Sequence, residues 1–307
     1  MIVLTHNDLD ALGSVLVLEK VFKPSKYFYT NYGDMEEILE MMLKEEPQDL
    51  FISDVSFTSN PEILHKLIDH FKNVTLCDHH MAAEDFFKQF DLNLIYDTKV
   101  CATKLLQQKY HDQAKDLDPI LDIIDVYDIW RTDDPRFMAS QDLNDYFWVK
   151  TNAQKIENRN NILTLAREII ETHQLNDYEE ITETCRMRQQ DFEEMIYKKG
   201  LSSTYELNGL NITILKTWAG FNRLMISEMQ RGQDIVVALN DLDKVVKIRI
   251  NAKSRSKGLT HEVLQKMRLY LTGNPDIGHD LAFTYKYDGL MPVWIENFLN
   301  YVKNMEK

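Results

Sequence analysis

Three apolar runs in the first eighty residues each end in acidic or histidine side chains. The runs cover residues 1–5, 50–53 and 74–77, and their apolar, largely branched composition predicts buried strands. Helix-like segments lie between them, and such alternation predicts a parallel sheet whose strands end at one shared edge. The side chains expected to meet at this edge are His6, Asp8, Asp10, Asp54, Asp78, His79 and His80.

The turn after the first strand admits two interpretations. A single carboxylate, from Asp8 or Asp10, would cap the helix that is predicted to start here. Capping explains neither the second carboxylate nor the adjacent His6. Open α/β sheets bind their ligands at the carboxyl ends of the strands. Because acids and histidines also follow two other strands, the pattern favours a metal site at this edge.

A row of three aspartates lies further along the chain. Helices are predicted over residues 35–46, 60–71, 102–109 and 119–130, and a further strand over residues 94–96. In the last of these helices Asp122, Asp125 and Asp128 are three residues apart and share one face. We expect Asp122 to be solvated. Asp128 has aromatic and aliphatic neighbours and should be partly buried, so it needs a partner, which a metal ion would supply.

The pattern changes near residue 200. Residues 181–199 predict a long connecting helix that stops at Gly200. Short strands and helices follow, among them a predicted hairpin in which Asn240 and Asp241 join residues 235–239 to residues 244–250. The predicted fold class is α/β, with a parallel-sheet N-terminal domain joined by a long helix to a smaller α+β C-terminal domain. The predicted boundaries are residues 1–180, 181–203 and 204–307.

Composition narrows the classes of function. The chain has 307 residues, 44% of them hydrophobic, as in globular proteins. No apolar run reaches the roughly 20 residues of a membrane helix, and the N-terminus lacks the pattern of a signal peptide. Three scattered cysteines favour reduced thiols in a cytoplasmic protein. The net charge of −14 argues against long nucleic acid held by its phosphates: either the ligand is not anionic, or only a small anionic ligand is gripped locally, by metal ions and a few arginines.

The motifs resemble those of the DHH phosphoesterase family. Asp78-His79-His80 is the motif that names the family, residues 6–14 are similar to its first motif, Asp54 to its second and Asp128 to its fourth. The match is closest to the nano-RNase branch, which degrades short oligoribonucleotides. The resemblance implies a DHH catalytic domain followed by a DHHA1-like substrate-binding domain.

The resemblance also implies roles for the residues at the sheet edge. His6, Asp8 and Asp54 would hold one Mn²⁺ ion; Asp10, Asp54, His79 and Asp128 would hold a second, with Mg²⁺ or Co²⁺ as alternative metals. His80 would act on the phosphate as a hydrogen-bond donor or acid, and Asp78 would orient a histidine. Many family members place the first-metal histidine four residues before the first aspartate, where this chain has Leu4.

The C-terminal domain is expected to bind the substrate. Arg249 ends an apolar strand and resembles the arginine that family members direct at a phosphate or base. The family's glycine-rich loop followed by a histidine corresponds to residues 273–279, which contain only two glycines. The expected substrate-binding residues are Arg249, His279, Gly278, Arg223 and Arg255. For Arg223 and Arg255, a plain surface charge is the alternative.

The sequence thus predicts a metal-dependent phosphodiesterase, a nano-RNase-like exonuclease that acts on short oligonucleotides. Two alternatives keep the chemistry: a phosphodiesterase for cyclic or linear dinucleotides, and a RecJ-like exonuclease for single-stranded DNA. A third is a catalytically silent nucleotide-binding regulatory protein. The expected partners are short RNA or DNA oligonucleotides or dinucleotides, with no membrane; a homodimer is left open.

Overall fold

The chain folds into two compact units. The computed structural model describes residues 1–31, 33–58, 60–80, 86–217, 221–273 and 281–305. The N-terminal unit comprises Met1–Thr182 and the C-terminal unit comprises Glu183–Lys307. The helix Tyr178–Lys198 contains the point of division between them.

A five-stranded parallel sheet organises the N-terminal unit. Its strands stand in the order β2-β1-β3-β4-β5 and all neighbours are parallel. In register, Thr5 pairs with Ser53 and Ser53 with Cys77, so the three central strands end level with one another. The strands are β1 (Ile2–Thr5), β2 (Lys26–Tyr29), β3 (Leu50–Ser53), β4 (Val74–Asp78) and β5 (Asn93–Tyr96).

Both faces of this sheet are buried. Alternate side chains of a strand point to opposite faces, so Val3 and Phe51 join one apolar cluster, with helix Leu9–Phe22. Leu4 and Ile52 join the other cluster, with the helices that follow β2 and β3. The strands are therefore continuous apolar runs in the sequence, as expected for a parallel sheet that is covered on both sides.

Most predicted helices of this unit are present, with shifted ends. The unit contains the helices Leu9–Phe22, Met35–Met42, Pro61–His70, Ala102–Lys109, His111–Ala114, Asp118–Asp128, Phe137–Thr151 and Asn161–Thr172, and the 3₁₀ turns Lys115–Leu117 and Ile156–Asn158. The helix expected over residues 35–46 ends earlier, because Lys44 and Glu45 donate to carbonyl groups only three residues back. The helix expected to reach Trp130 ends at Asp128, since Trp130 has a left-handed φ of 59°.

A mixed five-stranded sheet organises the C-terminal unit. Its order is β10-β9-β8-β7-β6, with β7 and β8 parallel and the other pairs antiparallel. The predicted hairpin is present, because Asn240 pairs with Val245 across β8 and β9. The unit contains β6 (Ser202–Leu207), β7 (Leu210–Lys216), β8 (Ile235–Asn240), β9 (Val245–Ile250), β10 (Ala282–Lys286), the helices Phe221–Gln230, His261–Thr272 and Met291–Asn304, and the 3₁₀ segment Ala252–Lys257.

The predicted fold class is confirmed: a parallel α/β sheet domain is followed by a long helix and a smaller α+β domain. Among the described residues, no helix is both long and apolar enough to span a lipid bilayer.

Candidate metal centre

The carboxyl ends of β1, β3 and β4 place the predicted side chains together. His6 follows β1, Asp54 follows β3, and His79 follows β4. Asp54 has a left-handed φ of 59°, a conformation that aspartate tolerates better than most residues but that still costs free energy. Asp128, the last residue of helix Asp118–Asp128, also reaches this edge, because its Oδ2 atom lies 3.4 Å from His79 Nε2.

Seven side chains form three overlapping groups whose ligand atoms lie within 4.8 Å of one another in each group. Asp54 and His79 each belong to two of the groups. The His79 Nε2 atom lies 3.3 Å from Asp54 Oδ1, 3.4 Å from Asp128 Oδ2 and 4.0 Å from Asp10 Oδ2. The groups are His6 with Asp8 and Asp54, Asp10 with His79 and Asp128, and Asp54 with His79 and His80.

Asp8 combines a helix cap with a contact to a histidine. Its Oδ1 accepts the backbone N–H of Ala11 at 3.2 Å, which caps helix Leu9–Phe22. Its Oδ2 lies 2.7 Å from His6 Nδ1. Burial alone would raise the pKa of Asp8, but the charge and hydrogen bond of His6, with the Ala11 N–H and the charge of His79, lower that pKa to about 2. Asp8 therefore stays ionised at neutral pH.

Asp10 is fully enclosed and held by backbone groups. Its side chain is buried, and its Oδ1 and Oδ2 accept the N–H groups of Thr103 and Ala102, each at 2.9 Å. Thr103 Oγ1 also donates to the backbone carbonyl of Asp10 at 2.8 Å. Ala102 and Thr103 open the helix Ala102–Lys109. The N-terminus of that helix therefore orients a carboxylate that faces His79.

A second aspartate contacts the last histidine of the motif. Asp78 is buried, and its Oδ1 lies 2.7 Å from His80 Nδ1. Because Nδ1 of His80 contacts Asp78, Nε2 is the ring nitrogen that could contact a metal ion or a substrate. The Tyr96 hydroxyl donates to the His80 carbonyl at 2.7 Å, which further restrains the segment.

The electrostatics of the cluster fit a divalent cation. Burial raises the pKa of Asp54 well above its usual range, and the neighbouring charges of Asp8, Asp10 and Asp128 raise it further. Burial and the charges of Asp10 and Asp8 also raise the pKa of Asp128 well above its usual range. Within the described part of the chain, the buried Asp128 Oδ2 accepts no hydrogen bond. A cation would compensate this concentrated negative charge, and oxygen ligands with imidazole suit Mn²⁺, Mg²⁺ or Co²⁺.

The predicted substrate-binding residues lie in the C-terminal unit. Arg249, on β9, is buried and donates from Nη1 to the carbonyls of Ile248 (3.0 Å) and Phe283 (3.4 Å). Its Nη2 lies 3.5 Å from Asn222 Oδ1, beside Arg223 in helix Phe221–Gln230. Arg255 is exposed on the 3₁₀ segment. Gly278 and His279 lie outside the described residues.

One buried aspartate near the candidate site was given no role in the sequence analysis. Asp125 accepts the N–H of Cys101 at 2.8 Å and pairs with Arg131 at 3.0 Å. The row of three aspartates was visible in the sequence, but nothing in it distinguished the buried Asp125 from the solvated position. Asp122, as expected, is partly exposed, and pairs with Lys104 at 2.6 Å.

No family model matches the chain, and no curated protein matches its sequence. Solved structures do match its fold. PggH, a pGpG-specific phosphodiesterase from Vibrio cholerae, is 17% identical with a TM-score of 0.62, and 99% of each chain is covered. The DHH domain of a protein assigned to a family of ribosomal proteins is 16% identical with a TM-score of 0.61, over 100% of this chain and 87% of that one.

A third match is RecJ from Thermus thermophilus, whose structure is a complex with Mn²⁺. It is 14% identical with a TM-score of 0.56, and the match covers 100% of this chain but 52% of RecJ. The chain therefore shares its fold with these three proteins, one of which is described as a DHH domain, and the fold that the resemblance of its motifs implies is confirmed.

Proposed function

We propose that this protein is a metal-dependent phosphodiesterase that hydrolyses short oligonucleotides, as a nano-RNase-like exonuclease. The observation that carries the proposal is the convergence of four carboxylates and three histidines at one sheet edge, in groups that share Asp54 and His79. Such a set of oxygen and imidazole ligands, buried and rich in negative charge, is suited to a pair of divalent cations.

The ligands divide into two sets. His6, Asp8 and Asp54 would hold one ion, and Asp10, Asp54, His79 and Asp128 the other, with Asp54 shared. When bound, divalent ions supply Lewis-acid stabilisation of phosphate charge and lower the pKa of a coordinated water. Mn²⁺ is the proposed metal, and its presence in the RecJ structure supports this choice.

The chain's own residues contribute orientation and a proton. Asp78 holds His80 through Nδ1, so that Nε2 would donate a hydrogen bond to the phosphate or a proton to the leaving oxygen. A carboxylate that accepts the Nδ1 proton fixes the orientation of the imidazole, and Nε2 donates when the ring carries a proton on both nitrogens. The backbone N–H groups of Ala102 and Thr103 hold the Asp10 side chain in a fixed orientation.

We assign substrate binding to the C-terminal unit. Arg249 shares one face of β9 with Lys247, and burial, helped by the neighbouring charge of Arg249, lowers the pKa of Lys247 to about 8. Two cations on one strand face favour an anionic group such as a phosphate. Arg223, Arg255, Gly278 and His279 complete the proposed set. Because the net charge is −14, few phosphates would be gripped, which favours short substrates.

A dinucleotide phosphodiesterase is the second candidate. The similarity of fold to PggH over 99% of both chains favours it, since PggH is specific for pGpG. A RecJ-like exonuclease acting on single-stranded DNA is the third, supported by the match to RecJ. The complete ligand set argues against a catalytically silent nucleotide-binding protein.

One assay separates these candidates. The purified protein is incubated with Mn²⁺ and end-labelled RNA, DNA and cyclic or linear dinucleotides, and the products are resolved by length. We expect preferential cleavage of RNA of two to five nucleotides. Cleavage confined to dinucleotides would favour the second candidate, and processive loss from long DNA would favour the third.

The control is an Asp54→Ala/His79→Ala double variant, which removes both shared residues of the ligand groups. We expect its activity to fall to background in every arm. If the wild type cleaves no substrate above the level of this variant, the enzyme proposal is wrong.

A further inference from the structure

The helix Ala102–Lys109 is capped by side chains from distant parts of the chain. Its N-cap residue, Cys101, makes no capping hydrogen bond with its own side chain. The first N–H groups of a helix have no partner within the helix and need acceptors. Here Asp125 accepts the N–H of Cys101, and Asp10 accepts the N–H groups of Ala102 and Thr103.

The two capping carboxylates have different surroundings. Asp10 belongs to a candidate metal-binding group with His79 and Asp128. Asp125 belongs to none of the groups found among the described residues. It is 2% exposed, and its second oxygen lies 3.0 Å from Arg131 Nη1. Arg131 in turn donates to the Lys99 carbonyl at 3.1 Å, so the turn before the helix is held at two points.

Asp125 also connects two ligands of the same candidate ion. It lies one helical turn before Asp128 in helix Asp118–Asp128, and it binds the turn whose N–H groups hold Asp10. Asp125 therefore helps to fix the distance between Asp10 and Asp128. Mutation of a residue that orients a metal ligand typically lowers the affinity for the metal 10–100-fold.

We propose that Asp125 is a positioning residue for the ion held by Asp10, His79 and Asp128, acting through the Cys101 N–H and the start of helix Ala102–Lys109. The inference rests on the proposed function only for the presence of divalent ions. It assigns Asp125 no contact with substrate or metal. We expect its effect to fall mainly on this ion, because Asp125 bonds the turn whose N–H groups hold Asp10 and lies in the helix that ends at Asp128.

The test is a titration of the metal-free full-length protein with Mn²⁺, with free Mn²⁺ followed by electron paramagnetic resonance. The wild type is expected to bind two ions. In Asp125→Ala, one dissociation constant should rise about 10–100-fold and the other should change less than about three-fold. Asp125→Asn should stay within about three-fold of the wild type, because the amide oxygen still accepts the Cys101 N–H, and Arg131, which is partly exposed, can be solvated in place of its lost ion pair.

Asp122→Ala is the matched control. Asp122 lies one turn earlier in the same helix, and its pairing with Lys104 is partly exposed. The control should bind both ions as the wild type does. Loss of the same ion in this variant would overturn the inference, because any charge removed from the helix would then suffice.

The remaining outcomes are also decisive. Unchanged binding of both ions by Asp125→Ala, equal weakening of both ions, or an Asn variant as weak as the Ala variant would overturn the inference. If circular dichroism shows that Asp125→Ala does not fold, Cys101→Pro replaces it. Proline removes the donor of the same hydrogen bond, and the φ of −72° at Cys101 suits it.

The readout separates this inference from the proposed function. A wild type that binds two ions but cleaves no phosphodiester would remove the proposed function and leave the role of Asp125 standing. A wild type that binds no Mn²⁺ would overturn both.

Discussion

At the scale of single residues, the two interpretations of the first turn prove compatible. Asp8 caps its helix with one oxygen and meets His6 with the other. Asp10 also satisfies helix N–H groups, but those of another helix. Local sequence can predict the first of these contacts. The second joins residues more than ninety positions apart and depends on the fold.

Asp54 should make the stability of the metal-free protein depend on pH. Its pKa in the folded state is raised above the value of 3.8 that is usual for an unfolded chain, first by burial and then by neighbouring carboxylates. Between these two pKa values the folded state binds more protons than the unfolded state, so stability falls as pH rises. The loss is complete above the raised pKa and absent below 3.8.

Asp54→Asn should therefore stabilise the metal-free protein at pH 8, because asparagine carries no charge to be buried among the neighbouring carboxylates. Asparagine also tolerates the left-handed backbone at this position. The advantage should shrink on acidification towards pH 4. Thermal unfolding in EDTA from pH 4 to 8 measures it, and saturating Mn²⁺ should reverse the order by stabilising only the wild type. An unchanged melting temperature at pH 8 would contradict this account.

At the scale of secondary-structure elements, the helix Leu9–Phe22 and the helix Ala102–Lys109 approach closely at Gly13. A Cβ atom added to Gly13 would overlap the side chain of Thr103. Thr103 is fully buried and bonded to Asp10 through its N–H and its hydroxyl group, so it cannot move aside without disturbing a candidate ligand. The glycine therefore serves the site by permitting this approach.

Gly13→Ala brings two opposing effects. Alanine should gain about 1 kcal/mol from helix propensity, but overpacking a buried contact costs about 1–3 kcal/mol. Because Thr103 is held on two sides, we expect net destabilisation by about 1–2 kcal/mol, measured by urea unfolding. The double variant Gly13→Ala/Thr103→Ala should be less destabilised than the sum of the single variants. Strict additivity would show that the two positions do not clash.

The sequence predicts the parts of the molecule that local pattern controls. The strands β1, β3 and β4 are strongly apolar and end in polar side chains, so both the sheet and its edge could be predicted. The helix Phe137–Thr151 was not predicted, because Ser140, Gln141 and Asn144 are buried in it and weaken its apolar periodicity. β6 was also missed, since this edge strand alternates only weakly.

The residues of the candidate site also differ in how far the sequence could predict them. The candidate ligands that follow strands could be placed at one sheet edge from the sequence, and Asp128 could be added from its apolar neighbours. Asp125 could not be distinguished from Asp122, because both occupy the same face of one helix. Asp125 is buried and bonded to the N–H of Cys101, a contact between distant parts of the chain that no local pattern specifies.

At the scale of the whole molecule, the net charge of −14 sets the range of substrates. A protein that binds nucleic acid through many phosphates releases a counterion at each contact, and its affinity then falls steeply with salt. A chain of net negative charge that holds its substrate through a few cations, such as Lys247 and Arg249, would make few such contacts. Long strands would be repelled by the remaining surface.

The dependence of KM on salt should therefore be shallow. For single strands the slope of log affinity against log salt is about −0.7 for each phosphate contacted, so one or two contacts predict a slope of about −0.7 to −1.4. Steady-state kinetics with a dinucleotide, a pentanucleotide and a long oligonucleotide, each between 50 and 300 mM KCl, measure it. Because the number of gripped phosphates is the same for all three, the slope should not grow with length. A slope of about −4 or steeper for the long substrate would require some six phosphate contacts. The surface would then have to contain a basic channel, and the proposal of a short substrate would be wrong.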